Sequence, residues 1–334
     1  MRSVTVHAVL LAVALPVAYL TWTRNPDMQL SERAIPIWRG DADGIVTVTL
    51  DDRLKHMVIE RKSDAGGDYL WGTRTRTGPI LAADSASNPM IAQVRDSVGF
   101  LVSVDDGPKV LGLLAVPAAI RDLGEPSADS MLAAYGFRGA DTARVRVSFG
   151  GLTHELLIGG QVFGGEDRYV MAPPDRKVYV LPGQYVTVLL GGDQTLSERR
   201  YHVYTKDRMA KLILTDQKGA TKTFVNQSQL GSVIQWALES DPDTPDINVS
   251  NVIGQMDDAG LVSYRADVDP AQVTRLLRAD FLDAAGDSLG FLEFYEKPGA
   301  NPGEHYLRTE HTRVLIQAYE EVGTMLKGAL TRLF

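Results

Sequence analysis

A short string near the carboxyl end of the chain matches a known catalytic pattern. Gly286, Ser288 and Gly290 satisfy G-x-S-x-G within the string GDSLG. A nucleophilic serine of this kind needs a sharp strand-to-helix turn that exposes its hydroxyl group. The flanking runs RADFLDAA and GFLEFYEK both look like strands, so the string is predicted to be a hairpin turn. A serine hydrolase that uses Ser288 stays a remote alternative.

Histidines are common general bases and metal ligands, but their spacing here favours neither role. No pair forms H-x-x-x-H or H-E-x-x-H. His305 and His311 each follow a glutamate, and they are close enough in sequence to share one face of a sheet. We expect this pair to lie on a solvated face and not to hold a metal. The full set is His7, His56, His154, His202, His305 and His311.

Two other segments carry residues suited to binding ions or phosphate. Asp241, Asp243 and Asp246 resemble a calcium loop only loosely, since the central glycine and closing glutamate of an EF-hand are missing. A turn that ends in a helix N-cap at Asp246 is the preferred interpretation. The Gly-rich stretch 159–165 lacks the Lys-Ser/Thr pair of a phosphate loop, which favours a hairpin tip. No metal, cofactor or catalytic residue is therefore predicted.

The elements that would position such groups belong to an acidic globular chain without cysteine. Its 334 residues suggest about two domains. A net charge of -8 argues against binding nucleic acid by neutralising its phosphates. The lack of cysteine excludes a disulfide scaffold, a thiol nucleophile and a cysteine-based zinc site. A mean hydropathy of -0.09 is too low for a polytopic membrane protein.

The amino-terminal run is predicted to be a transmembrane anchor over residues 1–23. Residues 3–23 contain no Lys, Arg, Asp or Glu, and a helix with a rise of about 1.5 Å per residue then spans the roughly 30 Å hydrocarbon core. A cleaved secretory signal is the alternative, although no small-x-small triplet follows the run. The predicted anchor residues are Val9, Leu10, Leu11, Val13, Leu15, Val17, Tyr19, Leu20 and Trp22.

This anchor predicts a single-pass inner-membrane protein. A short cytoplasmic amino terminus and an exported body are the simplest topology, so the body is expected in the periplasm. Residues 24–40 carry charges and two prolines without periodicity, and they are predicted to be a linker.

The body carries an internal duplication, with one copy over 41–205 and the other over 206–334. Each copy opens with strand-like runs that end near Trp71 or Trp236. An Asp-led segment with an amphipathic helix follows, and then a short helix, DSMLAAYGF or DPAQVTRLL. A strand meander and a closing helix complete each copy. The last helix aligns its apolar residues on one stripe: Tyr319, Val322, Met325, Leu326, Ala329, Leu330 and Leu333.

The predicted fold class is therefore α+β. A transmembrane helix precedes two tandem, internally repeated antiparallel-sheet domains with packed helices. Strands cluster in hairpins and do not alternate regularly with helices, so a doubly wound parallel sheet is disfavoured.

The order of these elements resembles a known family. Together with the strings AAYGF, ELLIGG, DRYVMAP, KVYVLPG and LSERRYHVY, it resembles the bacterial family catalogued as domain of unknown function 4340, most strongly over residues 126–215. These motifs are packing and turn patterns, so they transfer no catalytic residue. Membership implies a single-pass exported protein, often encoded beside ABC transporter genes of the gliding-motility type. Such genes include a permease and an auxiliary exported subunit.

These observations lead to one expected function and two alternatives. We expect a non-enzymatic, membrane-anchored periplasmic accessory or scaffold subunit of a membrane complex, most plausibly an ABC transporter of the gliding-motility type. Its partners would be the inner membrane and a permease or auxiliary exported subunit, and not nucleic acid. The first alternative is a periplasmic module that binds a ligand in the cleft between the two repeat domains. The second is the hydrolase that uses Ser288.

Overall fold

The computed structural model describes residues 34–77, 97–139, 141–173, 175–227, 234–257, 263–299 and 303–334. The predicted anchor, residues 1–23, lies outside the described residues. None of the helices in the described ranges is both long and apolar enough to cross a membrane. Strands make up 41% and helices 21% of the structure, and the large sheets are antiparallel. The α+β prediction is therefore confirmed at the level of class.

Residues before 205 build a nine-stranded antiparallel sheet with the order β5-β4-β3-β2-β8-β9-β10-β11-β7. A separate pair of short strands, β1 and β6, joins the chain near Ile35 to residues 118–119. The strands of this half are β1 (Ile35–Pro36), β2 (Thr47–Asp51), β3 (Lys55–Asp64), β4 (Gly67–Arg76), β5 (Ser97–Leu101), β6 (Ala118–Ala119), β7 (Arg121–Gly124), β8 (Ala143–Ser148), β9 (Thr153–Gln161), β10 (Arg168–Ala172) and β11 (Lys177–Leu181).

Residues after 205 build an eight-stranded antiparallel sheet with the order β14-β13-β12-β16-β17-β18-β19-β15. Its strands are β12 (Lys211–Asp216), β13 (Thr221–Asn226), β14 (Trp236–Leu238), β15 (Ser263–Tyr264), β16 (Thr274–Leu282), β17 (Ser288–Lys297), β18 (Glu304–Thr309) and β19 (Ile316–Gln317). The helices of both halves are α1 (Asp106–Ala115), α2 (Asp129–Ala134), α3 (Gly183–Gly191), α4 (Asp193–Leu196), α5 (Ile247–Asp257) and α6 (Glu320–Leu330).

The two sheets have the same strand order. From β2, the first sheet continues through β3 and β4 on one side and through β8, β9, β10, β11 and β7 on the other. From β12, the second sheet continues through β13 and β14 on one side and through β16, β17, β18, β19 and β15 on the other. Strand β5 has no counterpart in the second sheet, and it forms one edge of the first.

One hydrophobic cluster extends through both halves, from Trp38 to Leu333. Alternation along the strands supplies it: Leu212 and Leu214 of β12 point inward and are fully buried, as the period of a half-buried strand requires. Trp71 of β4 meets Tyr264 of β15 edge to face, with ring centroids 6.1 Å apart, so the two sheets pack on each other directly.

Several details differ from the sequence-based expectations. The predicted linker already belongs to the fold at its end, since Trp38 is buried and its Nε1 donates to the carbonyl of Leu114 at 2.9 Å. The predicted second-copy helix DPAQVTRLL is only a single 3-10 turn at Pro270–Gln272, capped by Asp269 and followed by β16. Its β-branched and alternating residues favour a strand once the turn ends.

The predicted carboxyl-terminal helix is present, but fewer of its apolar residues are buried than predicted. Leu326 and Leu333 are fully buried, whereas Tyr319 and Met325 are about half exposed, at 41% and 47%. Tyr319 is the N-cap residue and has extended backbone, so it precedes the helical periodicity. Helix α1 is an element of the first half beyond those that the sequence predicts. Most of the Asp-led segment predicted in the first copy falls on residues 78–96, which lie outside the described residues.

Candidate functional site

A large cavity lies where the two halves of the described structure meet. It encloses about 910 Å³, and its walls come from β5, from the chain that leaves α4, from the end of α5 and from β15. We call residues 197–205 the connecting segment, since they join the first half to the second. The cavity lining includes Val98, Phe100, Asp193, Glu198, Arg199, Arg200, Tyr201, His202, Tyr204, Lys206, Met209, Asp257 and Tyr264.

Backbone hydrogen bonds fix the start of the connecting segment beside β5. The amide of Glu198 donates to the carbonyl of Leu101 at 2.8 Å, and the amide of Ser103 donates to the carbonyl of Leu196 at 2.7 Å. The segment thus extends the edge of the first sheet by a short antiparallel bridge.

Two side chains of the second half hydrogen-bond to the same segment. The hydroxyl of Tyr264 donates to the carbonyl of Glu198 at 2.8 Å, and that of Thr309 donates to the carbonyl of Tyr201 at 2.5 Å. Both sheets therefore determine the path of these residues.

Glu198 is a buried carboxylate with a full set of donors. Its oxygens accept from the backbone amides of Val104, Arg199 and Arg200 at 3.0 to 3.1 Å and from the Arg200 guanidinium at 3.3 Å. His311 Nε2, from the second half, lies 3.3 Å from it. Burial by itself would raise the pKa of Glu198, but the hydrogen bonds to His311, Arg200 and Val104 outweigh it and hold the pKa far below its usual range.

His202 lies at the other end of the segment between two carboxylates. Its Nδ1 is 2.9 Å from Glu310 Oε1, and its Nε2 is 3.6 Å from Asp257 Oδ1. An ionised carboxylate only accepts, so Nδ1 carries a proton and donates to Glu310. Glu310 also accepts from the amide of Phe291 at 2.9 Å, which holds the acid in place.

Unlike Glu198, this cluster is incompletely hydrogen-bonded. His202 Nε2 and Tyr204 Oη are buried and have no hydrogen-bond partner within the described part of the chain. Burial and the nearby charges of Glu310 and Asp257 raise the pKa of Tyr204 well above its usual range, so its hydroxyl keeps its proton and can donate. The rings of His202 and Tyr204 pack with centroids 4.8 Å apart. Buried polar groups left unpaired in this way are uncommon in native proteins.

The candidate residues from the sequence do not come together at this cavity. Ser288 is the exposed first residue of β17, and the loop before it is a hairpin turn in which Gly286 has φ +88°. Asp283 Oδ1 accepts from the amides of Ala285 and Asp287 at 2.9 and 3.0 Å, which closes this turn. The hairpin prediction is confirmed, and no hydrogen bond joins Ser288 to a histidine among the described residues.

The expected solvated face for His305 and His311 is wrong. Their side chains are 3% and 8% exposed. His305 stacks on Phe294, with ring centroids 5.4 Å apart, whereas His311 follows β18 and faces Glu198. Hydrophobic neighbours from β17 cover the first ring, a tertiary effect that spacing along one strand does not reveal.

The two remaining motif predictions are confirmed in their structural form. Asp246 caps α5, since its Oδ1 accepts from the amides of Asn248 and Val249 at 2.9 and 3.1 Å. The Gly-rich stretch ends β9 and forms the turn to β10, with a fully exposed Phe163 at the tip. No group of three acidic or histidine side chains in the described ranges is placed to hold a metal ion.

Sequence reasoning missed the residues that line the cavity. Glu198 and His202 occur in LSERRYHVY, which carried the family resemblance and the predicted domain boundary. A signal was available there, because this run places three charged residues and a histidine beside two tyrosines. Asp257 and Glu310 gave no such signal, since only the tertiary fold brings them to His202.

Comparison with known proteins adds no relative. No family model, no curated protein and no solved structure matches this chain. The family resemblance described above therefore stays a prediction.

Proposed function

We propose that the protein is a non-enzymatic binding module whose ligand occupies the cavity between its two halves. One observation carries this proposal: a cavity of about 910 Å³ lies at the junction of the two sheets, beside incompletely hydrogen-bonded polar groups. Ligand sites commonly measure about 300–1,000 Å³ and favour the junctions between structural units. A ligand there would contact both halves of the protein.

Binding is favoured over catalysis by the surroundings of His202. A carboxylate that orients a histidine through Nδ1 is half of a common catalytic arrangement. The other nitrogen would then have to reach a nucleophile or a substrate proton. Here Nε2 faces the carboxylate of Asp257, and no serine, threonine or tyrosine hydroxyl among the described residues hydrogen-bonds to it.

The two halves are proposed to be tandem repeats. The support is the matching strand order, which runs without interruption from β4 to β7 across the first sheet and from β14 to β15 across the second. A further correspondence is that α3 and α6 each follow the last strand of their half in sequence. A duplicated unit naturally leaves a junction between copies, and this is where the cavity lies.

The membrane role rests on the family resemblance and on the apolar run before residue 24. On that basis the module is proposed to be a single-pass periplasmic accessory subunit of an ABC transporter of the gliding-motility type. Extraction of the tagged full-length chain in mild detergent, followed by mass spectrometry of bound proteins, tests this role. A permease and an ATPase in the eluate would support it, and a protein that migrates alone would contradict it.

A neutral apolar probe tests the binding proposal. We expect phenylnaphthylamine to bind the full-length protein at one saturable site, read by its fluorescence. Thr205→Trp, which adds a large ring at an exposed position of the cavity lining, should abolish or strongly weaken this site. Thr221→Trp adds the same ring at an exposed threonine of β13 outside the lining and serves as the matched control. Equal binding by both variants would contradict the proposal.

A further inference from the structure

The charges around the cavity are arranged unevenly with depth. The side chains of Arg200 and Lys206 are 44% and 58% exposed, whereas those of Glu198 and Asp257 are 3% and 13% exposed. Cations therefore form the accessible rim of the cavity, and carboxylates lie beneath them. This arrangement stands out in a chain whose net charge is -8.

The carboxylates of the lining already have cationic partners. Glu198 pairs with Arg200, and Lys206 pairs with Asp257. Asp193 Oδ2 accepts from Arg74 Nε at 3.0 Å. These pairs neutralise one another, so they leave no surplus negative charge facing the cavity.

Arg199 is the cation of the lining that lacks a counter-ion. It is exposed, and no carboxylate within the described ranges lies at ion-pair distance from it. Its Nη2 donates to the carbonyl of Gln194 at 2.7 Å, which restrains the guanidinium and leaves its other N–H groups available. A restrained guanidinium with free donors is well suited to bind a carboxylate, sulfonate or phosphate.

We infer that the ligand of this cavity is an organic anion with an apolar body. This inference rests on the proposed function. The acidic group is bound by Arg199, and the apolar body lies along the wall that contains Val98, Tyr204 and Met209. Because Arg200 and Lys206 are paired with carboxylates, Arg199 supplies the unbalanced positive charge at the rim, which favours anions at low ionic strength.

Two probes with the same aromatic body separate the contribution of charge. Anilinonaphthalene sulfonate carries a sulfonate, and phenylnaphthylamine does not. We expect the wild-type full-length protein to bind the anion at least about fivefold more tightly than the neutral probe, the scale of one charge-assisted hydrogen bond. Raising the salt concentration should reduce this preference.

Arg199→Gln should remove the preference and leave the affinity for the neutral probe unchanged. Arg332→Gln, at an exposed arginine of the carboxyl terminus that does not line this cavity, makes the same change of charge and should keep the preference. Far-UV circular dichroism checks that both variants are folded.

The two failures can be told apart. If the neutral probe binds in the cavity but the anion shows no preference, or Arg199→Gln retains it, the inference is overturned and the binding module stands. If Thr205→Trp displaces neither probe, the cavity is not their site, and the proposed function fails together with the inference.

Discussion

The two ends of the connecting segment hold buried ionisable groups in opposite ways. Glu198 receives three backbone amides and a guanidinium, with His311 beside it, so its charge is compensated on every side. His202 has one firm partner, Glu310, and its second nitrogen has none within the described residues. A fully satisfied network rigidifies a fold, whereas a partly satisfied one costs stability. This difference supports a structural role for Glu198, and it is one reason for the binding role proposed for the cavity beside His202.

The largest expected effect on stability is that of replacing Glu198. Glu198→Gln removes the buried negative charge and replaces one accepting oxygen with an NH₂ group, so donors such as the Val104 amide lose their acceptor. We expect a loss of about 3 kcal/mol in the free energy of unfolding, measured by urea denaturation. Glu239→Gln, which removes an exposed pair with Lys211, is the control and should cost less than about 0.5 kcal/mol. Comparable losses in both variants would contradict the role given to Glu198.

The loss of stability at low pH should also depend on Glu198. The pKa of Glu198 is lowered in the folded state, so the unfolded chain binds its proton first as the pH falls. Its stabilisation is therefore fully present above the unfolded pKa of about 4.5 and is lost as the pH drops below it. Glu198→Gln lacks this proton site, so its stability should change less than that of the wild type below that pH. Parallel curves of stability against pH for the wild type and Glu198→Gln would contradict this role of Glu198.

The next prediction concerns His202, at the other end of the connecting segment, and its expected effect on stability is smaller. His202→Phe keeps a ring between Tyr204 and Phe281 but removes the hydrogen bond to Glu310. Glu310 retains the amide of Phe291, so we expect a loss of only about 1 kcal/mol in the free energy of unfolding. Urea denaturation measures this value beside that of Glu198→Gln. The comparison fails if His202→Phe costs as much as Glu198→Gln.

His305 extends the comparison to a buried histidine without hydrogen bonds at either nitrogen in the described structure. Burial is the main cause that lowers the pKa of His305. The charge of Glu296, 3.9 Å away, raises this pKa, and the charge of Lys327 lowers it further. A lowered folded pKa means that the unfolded chain takes up the proton more readily, so stability is present above about pH 6.5 and falls below it. His305→Gln should reduce the slope of stability against pH below about pH 6.5. An unchanged slope would contradict a neutral, buried His305.

The sequence could predict what depends on local pattern. The hairpin around Gly286, the cap at Asp246 and the antiparallel class all follow from turn residues and alternation, which act over a few positions. The 3-10 turn at Pro270 was mistaken for a helix because its cap signals are those of a helix, whereas the following residues pair with β12 and β17. The cavity could not be predicted, since Asp257, Glu310 and His311 of the second half reach His202 and Glu198 only when the two halves pack together.

The smallest expected effect concerns the outer edge of the same junction. Arg313, in the second half, lies 2.6 Å from Asp64 of the β3–β4 hairpin and also donates to the carbonyl of Gly66. Asp64 is 38% exposed, so water screens this pair, and exposed pairs contribute little to stability. Asp64→Asn should therefore change the free energy of unfolding by less than about 0.5 kcal/mol, with no effect on probe binding. A loss of stability as large as that of His202→Phe would mean that the exposed edge holds the two halves together. That result would contradict the roles proposed for Glu198 and His202 in the connecting segment.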